Sequence, residues 1–140
     1  MSAFSSARRR EVVERAGDRC EYCRLPQEGQ VATFPIDHIA PKSAGGSNEL
    51  ENIALTCPHC NSHKWSAVES IDPETGLVAR LFNPRIDAWD EHFQWPSPTT
   101  GVLIGKSAIG RCTIQALEIN ATTMVRLRIL LSELGMFAYE

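Results

Sequence analysis

The chain has 140 residues, of which 43% are hydrophobic and 22% are charged. These values are typical of one folded domain and exclude a long disordered chain. No apolar run reaches the roughly 18 residues of a membrane span, and the first ten residues lack the apolar core of a secretory signal, so we expect a soluble, cytoplasmic protein. The formal net charge of −3 is unusual for a nucleic-acid-binding protein, which normally gathers positive charge against phosphates.

The first predicted element is a helix from residue 5 or 6 to residue 16. Serine is a good N-terminal cap for a helix, and Gly17 is the residue type that commonly ends one. The arginines of this segment either lie on an ordinary solvent face or contact nucleic acid. The sequence supports both interpretations about equally.

Four of the five cysteines form two Cys-x-x-Cys pairs, Cys20 with Cys23 and Cys57 with Cys60. In a reducing compartment this arrangement favours a metal over disulfides, and four thiolates form a closed tetrahedral zinc site. Such a site has no open position, so we expect structural Zn²⁺. The fifth cysteine, Cys112, lies in an apolar pattern and is most simply a small buried side chain.

Two strands and a helix are predicted between and after these pairs. Residues 31–39 form the first strand, which ends in Asp37 and His38, and residues 52–56 form the returning strand. A helix is expected from residue 58 to about residue 68, with proline in its first turn. The zinc site would then hold the corner between the second strand and the helix.

The residue types around this unit suit hydrolysis of a phosphodiester. A neutral imidazole such as His38 can activate water near pH 7. A hard cation on carboxylate and amide oxygens can stabilise the charge on the phosphoryl group, which fits Mg²⁺ or Mn²⁺. Each residue also has a structural interpretation: Asp37 can cap a turn, Asn52 can satisfy loop backbone, and Lys64 can be solvated.

Helical phase separates the polar residues of the predicted helix. Asn61 and Lys64 are three positions apart and share a face, so Lys64 could contact a nucleic-acid strand as a point charge. His63 lies about 200° round the helix from Asn61 and aligns instead with His59. The two histidines could bind a metal or could be satisfied surface residues.

Four segments together resemble the HNH endonucleases, which have the ββα-metal fold. They are CEYC at 20–23, DHIAPKSAGG at 37–46, ENIALTC at 51–57 and CNSHK at 60–64. The resemblance covers about the first half of the chain. Further motifs within residues 72–111 resemble the C-terminal extension of a bacterial branch of HNH proteins.

The resemblance implies a role for each matching residue. His38 would be the general base, Asp37 and Asn61 would bind one divalent cation, and Asn52 would brace the loop and orient His38. Many members have histidine where Asn61 stands, so His63 is a further candidate metal ligand. Independently of the resemblance, the charges of Lys42 and Lys64 make them candidate contacts for nucleic acid.

The expected function is therefore metal-dependent endonuclease cleavage, most simply of DNA, with 5′-phosphate and 3′-hydroxyl products as the resemblance implies. Branched DNA and RNA are also possible substrates. The sequence is also compatible with a homodimer in which two chains cut both strands. The alternative is a non-catalytic zinc-knuckle module that binds nucleic acid or protein.

The predicted fold class is α+β, with a single domain over residues 1–140. Residues 1–70 would form the ββα-metal core, stabilised by the four-cysteine zinc site, together with the N-terminal helix. Residues 71–140 would add short strands at 77–82 and 101–105, then helices at 107–119 and 122–134 with apolar core stripes. Within this extension, the aromatic cluster at 89–95 is expected to be buried against a small sheet. The alternative is that its rings stack on bases.

Overall fold

The computed structural model describes residues 4–96 and 100–140 and has the mixed helix and antiparallel-strand architecture expected of an α+β protein. Three two-stranded sheets alternate with five helices in these residues. In chain order the elements are α1 Ser6–Ala16, β1 Ile36–His38, β2 Ile53–Leu55, α2 Pro58–Lys64, β3 Glu69–Ile71, β4 Val78–Arg80, α3 Trp89–His92, β5 Phe93–Gln94, β6 Ile104–Gly105, α4 Ala108–Ala116 and α5 Thr122–Glu133. Among these helices, none combines the length and apolar character that crossing a bilayer requires.

Helix α1 has the predicted boundaries. The Ser5 hydroxyl accepts a hydrogen bond from the Arg8 amide at 3.1 Å, and Gly17 ends the helix in the left-handed conformation at φ 67°. Val12 is completely buried and faces the rest of the domain. The two ends are therefore set by local capping chemistry.

The arginines of α1 attach the helix to the strands behind it. Arg8, Arg9 and Arg15 donate to backbone carbonyl oxygens at distances of 2.6–3.4 Å. The acceptors are the carbonyls of Asn48, Phe34, Leu50 and Ile53. These three guanidinium groups are thus engaged within the protein, although Arg15 stays on the exposed face of the helix, as one of the two interpretations had it.

Strands β1 and β2 pair antiparallel, with His38 opposite Ile53 and Asp37 opposite Ala54. The first strand is shorter than predicted, because it begins at residue 36 and Val31 is fully exposed. Pro35 has no amide hydrogen to extend the ladder, although its carbonyl accepts from the Thr56 amide at 3.0 Å. All three β2 residues are buried, so the pairing fixes β1 over the core.

Helix α2 ends four residues earlier than predicted. Cys57 caps it and Pro58 occupies its first turn, as expected, but Trp65 takes φ 49° and ψ −113° and terminates it after Lys64. The chain then forms β3, which pairs with β4. Strand β3 was not predicted, because Glu69 and Ser70 do not give a strand-like apolar pattern.

The C-terminal elements bury the aromatic cluster, with Trp89 8% and Phe93 1% exposed. Ser107 caps helix α4 with its hydroxyl, and Cys112 is buried as expected. Helix α5 buries only part of its predicted apolar stripe, since Leu131 is 4% exposed and other members of the stripe are not buried. Leu130 and Leu134 are 51% and 62% exposed, whereas Arg128 is completely buried. The guanidinium of Arg128 donates to the Gly101 and Ile119 carbonyls, so these polar contacts decide which face of α5 turns inward.

Candidate functional site

The four paired cysteines meet in one buried cluster. The first pair lies on the turn after α1, and the second pair lies at the N-terminus of α2. All four side chains are completely buried, and their sulfur atoms all lie within 4.8 Å of one another. The Cys23 and Cys57 Sγ atoms are 3.8 Å apart. Four sulfurs held at about 2.3 Å from a central zinc would be roughly 3.8 Å apart, so the cluster is positioned as a zinc-binding site.

The four paired cysteines are not joined as disulfides. All five cysteines are free thiols, and the 3.8 Å separation is far longer than the roughly 2.05 Å of a disulfide bond. Hydrogen bonds with Cys20, then burial, raise the pKa of the Cys60 thiol well above its ordinary value. A divalent cation would reverse this effect by stabilising the thiolates.

Tyr22, inside the first Cys-x-x-Cys pair, connects the cysteine cluster to β1. Its side chain is completely buried, and its hydroxyl donates to Asp37 Oδ2 at 3.2 Å. Burial is the largest cause that raises the pKa of Tyr22 well above its usual value, followed by the charge of Asp37. The Tyr22 hydroxyl therefore stays protonated and can donate a hydrogen bond to this carboxylate.

Asp37 and Lys64 form a buried ion pair beneath the end of β1. The Lys64 Nζ atom lies 3.1 Å from Asp37 Oδ2, and the two side chains are 3% or less exposed. Burial raises the pKa of Asp37, and the charge of Lys64 opposes that effect. Lys64 was expected to contact nucleic acid, but its ammonium is turned inward and donates to Asp37 and to two backbone carbonyls.

One open cleft of about 430 Å³ is lined by three of the residues predicted to bind the cation or to act in catalysis, Asp37, His38 and Asn61. Lys42 lines the same cleft and is exposed, as a residue that contacts nucleic acid must be. The side-chain amide of Asn61 makes no hydrogen bond to any residue in the described ranges 4–96 and 100–140. Its oxygen is therefore available to a ligand in the cleft.

The His38 ring is held by two neighbours that the sequence analysis did not identify. Its Nε2 atom lies 2.7 Å from Asn48 Oδ1, and its ring centroid lies 5.7 Å from that of Phe4. An amide oxygen can only accept, so Nε2 is the donor and carries the proton in the neutral ring. The Nδ1 atom then holds the free lone pair. Asn48 follows the Gly-Gly-Ser turn without any periodic signal that would have identified it.

Asn52 braces the loop that follows β1, as expected from the resemblance. Its amide donates to the carbonyls of Ala40 and Ser47 at 3.1 and 2.8 Å, and its Oδ1 accepts from the Ala40 amide at 2.9 Å. It makes no hydrogen bond to His38 within the described part of the chain. The Ser47 carbonyl that it contacts precedes Asn48 in the chain.

His63 lies outside the cleft lining, on another side of α2. Its Nδ1 contacts the His59 carbonyl at 2.8 Å, and its Nε2 lies 3.0 Å from Glu118 Oε2. The His59 ring is 4.1 Å away, and its Nε2 contacts the Glu118 carbonyl. The histidine pair thus contacts the C-terminal half of the chain, which is the satisfied-surface interpretation of the sequence.

Comparison with known proteins matches residues 20–66 to the model of the HNH endonuclease family. No curated protein and no solved structure matches the chain. The matched segment begins at the first cysteine of the cluster and includes β1, β2, α2 and the cleft residues. Residues 20–66 of this chain therefore match an HNH endonuclease domain, and their four cysteines are positioned as a zinc-binding site.

Proposed function

We propose that the protein is a metal-dependent endonuclease that hydrolyses phosphodiester bonds in nucleic acid, with DNA as its substrate and 5′-phosphate and 3′-hydroxyl ends as its products. The observation that carries the proposal is the convergence of Asp37, His38 and Asn61 on one cleft within a segment that matches a nuclease family. The imidazole, the carboxylate and the amide are the groups that the chemistry requires.

His38 is the general base in this proposal. Asn48 Oδ1 accepts a hydrogen bond from the Nε2–H group of His38, which leaves the free lone pair of the ring on Nδ1. The Nδ1 atom then takes a proton from the attacking water. The Phe4 ring restricts rotation of the imidazole from one side. Both contacts reduce the reorganisation that would otherwise precede proton transfer.

Asp37 and Asn61 would hold the divalent cation, because both residues line the cleft and their side-chain oxygens are the ligand types that Mg²⁺ and Mn²⁺ prefer. When bound, such a cation supplies charge stabilisation for the phosphoryl oxygens and the leaving alkoxide. Tyr22 and Lys64 orient the Asp37 carboxylate from below. His63 is not required in this arrangement.

Zn²⁺ on the four cysteines has a structural role in the proposal, because four thiolates leave no position for substrate. Lys42, exposed at the cleft, contacts a phosphate of the bound strand. We also propose that residues 1–70 and 71–140 form one cytoplasmic domain. Trp89 Nε1 donates to the Tyr22 carbonyl across the two segments at 2.9 Å, which supports this arrangement.

One observation favours the alternative of a non-catalytic zinc module. Both oxygens of Asp37 already accept hydrogen bonds, from Tyr22 and Lys64. A carboxylate has about four lone-pair positions, so a cation would have to use the remaining one or displace a donor. In a binding module the same carboxylate would serve only as the buried partner of Lys64.

Cleavage of supercoiled plasmid, linear duplex, branched DNA and RNA in the presence of Mg²⁺ or Mn²⁺ distinguishes the two functions. We expect His38→Ala to lower the cleavage rate roughly 10²- to 10⁴-fold, the contribution of a general base. His59→Ala is the matched control, since it removes another imidazole whose ring contacts Glu118. Equal rates for the wild type and His38→Ala would eliminate the proposed base. A wild type that cuts none of these substrates would support the binding module.

A further inference from the structure

Trp65 is the least buried of the three tryptophans. It is 81% exposed, whereas Trp89 is 8% exposed and Trp95 is half-buried. An indole ring normally contributes to stability by burying its large apolar surface. Leaving it in water forgoes that contribution, and tryptophan is a residue type enriched at interfaces, where part of the ring stays in contact with water.

The exposed ring lies at the catalytic cleft. Trp65 lines the same cleft as Asp37, His38 and Asn61, directly after the helix that carries Asn61. Within residues 4–96 and 100–140 the ring stacks on no other aromatic side chain and on no arginine, and its Nε1 atom makes no hydrogen bond. The indole is therefore unpartnered in the described protein and adjacent to the residues proposed to act on a phosphodiester.

The backbone of Trp65 is also in an uncommon conformation. At φ 49° and ψ −113° it occupies a region that favours glycine. Such conformations are concentrated at ligand-binding and catalytic positions. The Trp65 amide still donates to the Asn61 carbonyl at 3.0 Å, so the position of the ring is tied to the end of α2.

We propose that Trp65 is a base-stacking residue and that the substrate carries an unpaired nucleotide next to the scissile phosphate. The proposal rests on the nuclease function proposed above. An aromatic ring stacks on the face of a base only where that face is free, as in single strands, bulges, junctions or a flipped nucleotide. Lys42 on the same cleft supplies charge for the phosphate, and Trp65 supplies the surface for the base.

Stacking on a base increases the contact between the protein and nucleic acid without requiring a large basic surface. This suits a chain with a net charge of −3. Proteins that bind single-stranded nucleic acid combine a positively charged groove with aromatic side chains on which the bases stack. The preference for an unpaired nucleotide then depends on stacking rather than on reading base edges, so it is tolerant of sequence.

The experiment measures binding in a His38→Ala background, so that the nucleic acid stays intact. The probes are a fluorescently labelled DNA duplex, the same duplex with a one-nucleotide bulge, and that bulge with an abasic nucleotide. We expect the bulged duplex to bind more tightly than the plain duplex. The abasic replacement should weaken binding roughly 5- to 150-fold, the contribution of one base-aromatic stack.

The matched variants are Trp65→Ala, Trp65→Phe and Leu77→Ala. Trp65→Ala should bind the normal and the abasic bulge equally weakly, whereas Trp65→Phe should retain part of the difference. Leu77 is 69% exposed but lies outside the cleft lining, so Leu77→Ala should bind as the parent does. Bulge binding should also quench tryptophan fluorescence in the parent and not in Trp65→Ala.

Two results would overturn the inference, and they are distinguishable. If the abasic replacement weakens Trp65→Ala as much as the parent, the base does not stack on Trp65, although the nuclease proposal stands. If the wild type neither binds nor cuts any DNA or RNA probe, the proposed function fails and the stacking role fails with it.

Discussion

The Asp37 carboxylate and the Lys64 ammonium lie 3.1 Å apart in the interior of the domain, with both side chains almost fully buried. Asp37 is on the strand that carries His38, and Lys64 is the last residue of the helix that carries Asn61. The Lys64 Nζ atom also donates to the His38 and Ile39 carbonyls at 3.2 and 3.3 Å. The pair therefore joins the two elements on which the proposed catalytic groups lie.

Breaking this pair should destabilise the domain. Lys64→Met leaves the Asp37 charge buried without its partner, which typically costs about 3–5 kcal/mol. The double variant Asp37→Asn with Lys64→Met should lose less, because it removes both charges. Urea denaturation measures the difference, with Lys42→Met as the exposed lysine control. A Lys64→Met variant as stable as the wild type would show that the ion pair does not hold β1 to α2.

Asn48 should act as a positioning residue for His38. Asn48→Ala removes the acceptor of the Nε2 proton, so we expect kcat to fall by roughly 10-fold, part of the 10²–10⁴ that a general base supplies, with KM little changed. Asn48→Asp keeps an acceptor but adds a negative charge that favours the imidazolium. The acid limb of its pH–rate profile should therefore move to higher pH.

Glu49→Ala, at the neighbouring exposed position, is the control for the Asn48 variants. Unchanged kcat in Asn48→Ala, together with an unchanged pH profile in Asn48→Asp, would exclude the positioning role. A loss of kcat in Asn48→Ala without a shift of the profile in Asn48→Asp would indicate a purely structural effect on the loop.

Zinc should be present at about one ion per chain and should be needed for folding. Cys20→Ser removes one of four ligands from a buried cluster, and metal binding in such sites is coupled to folding. We expect this variant to lose its zinc and its cooperative unfolding transition. Cys112→Ser is the control, since Cys112 is buried outside the cluster. Elemental analysis that finds well under one zinc in the wild type would contradict the site.

The Asp72–Arg111 pair should make stability depend on pH on the acid side. The Arg111 guanidinium donates to both Asp72 oxygens at 2.9 Å and, as the largest cause, holds the pKa of Asp72 far below its usual value. Because the folded-state pKa is depressed, this contribution is fully present above the unfolded value of about 3.9. It is lost as the pH falls below that value.

Denaturation midpoints measured between pH 7 and pH 2 test this dependence. Asp72→Asn should be less stable than the wild type at neutral pH. The difference in stability between the two proteins should decrease as the pH falls. A gap of constant size over that range would mean that the Asp72 charge does not contribute, and that the substitution acts through packing or through the turn to Thr75.

Much of the domain could be predicted because its signals are local. The cap at Ser5, the end at Gly17 and the proline start of α2 depend on neighbouring residues alone. The two Cys-x-x-Cys pairs likewise predicted the cluster, since only a few ligand arrangements suit that spacing. The strand lengths were predicted less well, because β1 stops where its pairing with β2 stops.

The cleft illustrates what a pattern cannot supply. The sequence indicated Asp37, His38 and Asn61, and the structure brings all three to one cleft. It also directs Lys64 inward and places His63 on another side of α2. The partner of His38 proved to be Asn48, ten positions away in a loop whose path no periodicity describes.

The sequence by itself determined the residue types for zinc and for the proposed chemistry, and the order of the elements around them, since caps, spacing and helical phase act over a few residues. Tertiary structure alone decided which polar groups are buried and which face the cleft. Burial depends on contacts between distant segments, as for Arg128 on α5 and the Asp37–Lys64 pair. The exposure of Trp65 follows from the same packing, which ends α2 at the edge of the cleft.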